Sequence, residues 1–120
     1  MDRYNIASNI YLPRFLNSWE TLVQCKDDGR FQFKLDKSHL PPGTVLGISF
    51  QERLHPDQPF FEFNAIYIMV PVSIPPPPAY GNRPIETYEF RVLFGLQIQA
   101  QVVSGDLPEK GLFWALNKID

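Results

Sequence analysis

The sequence predicts an all-β fold: an antiparallel β-sandwich or jelly roll of about six to eight strands with proline-rich loops. Three observations carry this. Apolar and polar residues alternate with period two along most of the chain, the pattern of strands with one buried face. Ten Phe, five Tyr and two Trp give an aromatic share of 14%, and aromatic side chains suit a half-buried pleated surface. Twelve Pro punctuate the chain, a residue excluded from helix interiors, and no segment keeps helical spacing beyond two turns.

At 120 residues, with 44% hydrophobic and 20% charged residues, the chain has the size and composition of one globular domain, spanning residues 1–120. Its elements follow in order. Residues 9–16 read as a short first strand that Pro13 confines to an edge. Residues 19–26, WETLVQCK, alternate imperfectly and place Trp19, Thr21, Val23 and Cys25 on one face. Asp27-Asp28-Gly29 holds the Asp-Gly pair of a tight turn, so a hairpin is expected there. The strand after it puts Phe31, Phe33 and Leu35 inside and Arg30, Gln32 and Lys34 outside.

A loop over residues 36–43 ends on Pro41, Pro42 and Gly43. The strand over residues 44–54 then places Leu46, Ile48, Phe50 and Leu54 on one face, with Glu52 as the exception. Residues 60–70 are apolar on both faces, so both faces are expected to be covered, by the domain itself or by a partner chain. A proline-rich crossing over residues 71–84 contains Pro75, Pro76, Pro77 and Pro78, which favour an extended polyproline segment. The alternation from Tyr88 to Val102 is too long for one ordinary strand, so a bend near Gly95 or a strand serving two sheets is expected. A last strand faces Leu112, Trp114 and Leu116 inward. No internal repeat is present.

The stretch DDGRFQFKLDKSHLPPGT resembles the hairpin of transthyretin-like and related β-sandwich repeats, in which an Asp-Gly turn, a Phe-x-Phe strand and a Pro-Gly turn follow one another. It covers under a fifth of the chain, and turn chemistry alone generates the same pattern, so it makes no family assignment.

The charge balance narrows the partners. A net charge of −2 with interspersed signs lacks the basic patch of a nucleic-acid binder, and no Lys/Arg run offers a membrane anchor. No apolar run reaches membrane-spanning length, and no signal peptide is expected from a start that carries Asp2 and Arg3. A single cysteine, Cys25, excludes an internal disulfide framework and suits the cytoplasm or another reducing, soluble compartment.

Catalytic motifs are absent: no GxSxG, no P-loop, no GxGxxG and no HExxH. His39 and His55, with Asp36 or Asp57, are the one candidate metal set, and the plainer reading is two solvated loop histidines. Cys25 beside a histidine would be a nucleophile, yet its place in an alternating run reads as a small buried hydrophobe. Glu52, Glu62 and Glu89 read as surface charges. No cofactor or metal is expected.

Two features point to protein contact. The proline run with Tyr80 serves as a ligand for aromatic grooves or as a stiff arm on a neighbouring subunit, against the plainer role of a rigid connection. The row Gln97, Gln99, Gln101 is an uncharged face that packs on another copy or simply meets water. The expected function is therefore non-catalytic protein–protein assembly, as a homo-oligomer or within a larger complex, with Ile66, Ile68, Pro75 to Pro78 and Tyr80 at the contact. A carbohydrate- or small-ligand-binding module is the alternative, with Trp19, Tyr80, Tyr88 and Trp114 as candidate stacking platforms. Tyr88 and Trp114 weaken it, since alternation assigns both to the core.

Overall fold

The pairing of the strands follows one rule: the chain is a long hairpin rolled upon itself. The structure, a computed structural model, describes residues 5–10, 17–37, 40–70, 85–105 and 112–119. These form β1 (Asn5–Ile10), β2 (Glu20–Cys25), β3 (Gly29–Asp36), β4 (Val45–Glu52), β5 (Phe61–Met69), β6 (Ile85–Val92), β7 (Leu96–Ser104) and β8 (Leu112–Lys118). β4 and β5 form the closed end of the hairpin, and its arms continue as β3–β6, β2–β7 and β1–β8, all antiparallel. Rolling adds the pairs β3–β8 and β4–β7. Two four-stranded sheets result, ordered β1-β8-β3-β6 and β2-β7-β4-β5, which is the jelly-roll arrangement. Among the described residues there is no helix, and none long and apolar enough to cross a membrane.

Alternation builds the core. Phe31, Phe33 and Leu35 from one sheet meet Leu46, Ile48, Phe50, Leu96, Ile98 and Val102 from the other, all essentially without solvent contact. Each such side chain contributes roughly 1.5–3 kcal/mol by leaving water. Phe50 sits at the centre, 5.7 Å edge-on to Phe33, 5.1 Å from Phe90 and 5.9 Å from Tyr88, all three on the opposite sheet. The bend expected near Gly95 is present: β6 and β7 belong to different sheets, and Gly95 takes φ 114° between them.

Several expectations are corrected. Asp27-Asp28-Gly29 links β2 to β3, with Gly29 at φ 120°, but it carries the chain from one sheet to the other and not round a hairpin. Turn chemistry specifies a local reversal; long-range pairing decides which sheet receives the next strand. The first described strand is Asn5–Ile10, which meets the expected span of 9–16 at Asn9 and Ile10; residues 11–16 lie outside the described residues.

In β2 the register slips between Thr21 and Val23, so Leu22 is the extra residue of a bulge. Leu22 and Val23 are therefore both buried, while Thr21 and Trp19 are exposed. Leu54 does not extend the inner face of β4: that strand ends at Glu52, and Leu54 is 61% exposed. The last strand does face Trp114 and Leu116 inward, with Leu112's side chain outside the described set.

Candidate interaction face

β5 settles how the two-sided apolar strand is covered. A second bulge steps the register from Phe50↔Asn64 to Gln51↔Glu62, leaving Phe63 as the extra residue. Phe63 thereby turns inward to the rings of Phe50 and Phe90, and beyond the bulge Ile68 and Val70 are buried with Ile66 half-buried against the core. Ile66 and Ile68, expected at a partner contact, thus belong to the domain's own interior. Alternation gives two apolar faces and does not say which one the second sheet covers; here it covers the Ile66–Ile68 side. Pro75, Pro76, Pro77, Pro78 and Tyr80 lie outside the described residues.

The other side of β5 faces water. Tyr67 is 66% and Met69 68% exposed, with Ala65 also exposed. Register aligns these with the outer positions of the neighbouring strands. Across the sheet run the rows Gln24–Gln97–Gln51–Glu62 and Thr21–Gln99–Ser49–Ala65, then Gln101–Gly47–Tyr67. The Tyr67 ring lies over Gly47, its Cε1 3.2 Å from where a β-carbon would sit, while Gln101 Cγ lies 3.4 Å from the same point. Glycine at 47 is what lets the ring lie close against the sheet.

The polar rows are tied together. Gln97 Nε2 donates to Gln51 Oε1 at 2.7 Å, and Gln51 Nε2 donates to Gln99 Oε1 at 2.7 Å and Ser49 Oγ at 3.1 Å. Gln99 Nε2 donates to Thr21 Oγ1 at 3.3 Å, and Ser49 Oγ to Glu62 Oε1 at 2.7 Å. One network therefore spans all four strands of the sheet and fixes the amides in place. The outer face of the other sheet differs in kind. It carries Arg30, Lys34, Glu89 and Arg91, with an Arg30–Glu89 ion pair at 3.6 Å.

Titratable groups with shifted behaviour sit elsewhere. Burial raises the Glu86 carboxyl, but hydrogen bonds from Lys37 Nζ at 2.6 Å and from the Tyr88 hydroxyl, with the Lys37 charge, outweigh it and hold Glu86 below the usual range. Burial first, then the bond to Glu86 and its charge, push the Tyr88 hydroxyl upward. These groups brace the margin between β3 and β6. Among the described residues no three His, Cys, Asp or Glu side chains cluster to hold a metal. His55 lies 3.9 Å from Asp57 on an exposed loop, and His39 is outside the described residues. Cys25 is half-buried against the core, Trp114 is inside it, and Tyr88 is half-buried beside it.

The sequence marked the glutamine row but missed its partner Gln51 and the exposed Tyr67 and Met69. The signal was present in the alternation of β5, on the side opposite Ile66 and Ile68. Comparison of the chain with protein-family models, curated proteins and solved structures finds no match in any of the three.

Proposed function

We propose that this protein is a non-catalytic assembly module that packs the outer face of its β2-β7-β4-β5 sheet against a second copy of itself. One observation carries the reading: the register rows of that face hold Gln, Thr, Ser, Gly, Ala and Tyr with Glu62 as their carboxylate, whereas the opposite sheet displays charged side chains of both signs. Depletion of charge, with exposed Tyr and Met, is the composition of an interface core. A face of uncharged amides meets its own copy without like-charge repulsion, and an isologous pair closes at two chains. Glu62 sits at the rim, already accepting a hydrogen bond from Ser49.

Sedimentation velocity of the full chain at tens of micromolar tests this. A dimer is expected, and the double variant Tyr67→Lys with Met69→Lys should be monomeric and still folded by circular dichroism, since in the single chain both side chains point to water. A monomeric wild type, or a double variant that stays dimeric, overturns the reading.

A further inference from the structure

Away from that face, three connections converge at one end of the sandwich. The turn after β2, the loop between β4 and β5, and the bend between β6 and β7 together enclose a pocket of about 370 Å³ lined by Lys26, Asp28, Arg53, Pro56, Leu93 and Phe94. Gly95 makes the convergence possible. A β-carbon there would sit 2.8 Å from the Cys25 carbonyl oxygen and 3.3 Å from Lys26 Cα, and φ is 114°. Only glycine lets the bend close onto the β2 turn and bring Leu93 and Phe94 beside Lys26.

The wall is half apolar and half charged. Leu93 is 52% and Phe94 38% exposed, two large side chains held out of the core although simple alternation would place Phe94 in it. Arg53 is fixed from two sides: Nη1 donates to the Pro56 carbonyl at 3.2 Å, and the guanidinium carbon lies 4.5 Å from the centre of the Phe60 ring. Its Nε–H is buried with no hydrogen-bond partner among the described residues. Among those residues neither Arg53 nor Lys26 has a carboxylate within ion-pair distance. A braced guanidinium and a lysine, neither held in an ion pair among the described residues and both beside an aromatic ring, match a ligand bearing a carboxylate and an apolar face. Asp28 adds an acceptor for a hydroxyl or ammonium group on the same molecule.

We propose that this pocket binds a small carboxylic acid with one apolar face and a hydrogen-bond donor, of the size of an acidic sugar or an aromatic amino acid. The site is independent of the assembly face, so either can fail alone. Nitrogen-15 NMR titrations of the full chain with glucuronate, phenylalanine and glucose test it. At least one of the two acids should shift the amides of Lys26, Asp28 and Phe94 saturably, and glucose should not. Glucuronate alone assigns a sugar acid, phenylalanine alone an amino acid, and binding of both means that the carboxylate and apolar face suffice. Lys26→Gln and Phe94→Ala should each weaken binding about tenfold without moving the unfolding midpoint. The proposal is overturned if neither acid binds, if glucose binds as well as the acids, or if both variants bind as the wild type does.

Discussion

Phe50→Ala is the sharpest probe of how the sheets are held together. The ring is 1% exposed and touches Phe33, Tyr88 and Phe90 across the sandwich and Phe63 in its own sheet. Truncating a buried Phe costs about 3–5 kcal/mol in transfer and cavity terms. Aromatic pairs add about 0.5–1.5 kcal/mol each, though not additively, so about 5 kcal/mol is the working figure. Against a typical total stability of about 5–15 kcal/mol, that is a third of it or more. In urea, with a slope near 1.5 kcal/mol/M for a domain of this size, the midpoint should fall by roughly 3 M. Leu54→Ala, 61% exposed beyond the end of β4, is the control and should shift stability by less than about 0.5 kcal/mol. If the two variants unfold at similar urea concentrations with unchanged slopes, the two-sheet core described above is wrong.

Ile68→Glu should unfold the domain and not dissociate an intact one, because its side chain is 4% exposed within the core; a folded, soluble monomer by circular dichroism and sedimentation would contradict that placement. Stability should also fall at both extremes of pH, for separate reasons. Glu86 is held below its usual pKa of 4.5 when folded, so the unfolded chain protonates first on acidification and this contribution, present above 4.5, is lost as pH drops through the folded value. Tyr88 is raised above 10.0, so the unfolded chain ionises first and stability declines as pH climbs past 10.0. Urea midpoints against pH should flatten on the acid side for Glu86→Gln and on the alkaline side for Tyr88→Phe; unaltered pH slopes in both would remove the Lys37–Glu86–Tyr88 account.

The facing of single strands was legible where alternation is clean, as in Phe31, Phe33 and Leu35 or Leu96 to Val102, because period two maps directly onto the pleat. It failed where a bulge adds a residue: Leu22 and Phe63 change the phase within their strands, and no residue type marks a bulge in the way glycine marks a turn. Topology was less legible still. The Asp-Gly turn at 28–29 carries the same local chemistry whether the next strand joins the same sheet or the opposite one. The site suffered likewise, since choosing between Ile68 and Tyr67 on one strand requires knowing which side the second sheet occupies. The pocket was illegible for a further reason: its six lining residues come from three loops that approach one another only in the rolled chain.

Under the proposed self-assembly, β5 also bears on which of two ways copies of this chain would pair. It is an edge strand, and edges invite strand addition unless charge, proline or a bulge blocks it. β6, the corresponding edge of the other sheet, carries Glu86, Glu89 and Arg91, whereas β5 carries Glu62 alone. Yet the bulge at Phe63 interrupts the strand near its start, leaving only residues 64–69 in regular register for a continuous ladder. Six residues make a short seam, and the twist that a bulge imposes turns the first part of β5 away from a straight partner. The outer face is tied together across its bulges: its hydrogen-bond network links all four strands, and the Tyr67 ring lies over Gly47. Face-to-face packing therefore uses a surface four strands wide and edge addition a six-residue seam. A closed pair of sandwiches fits this sheet better than an open array of strands.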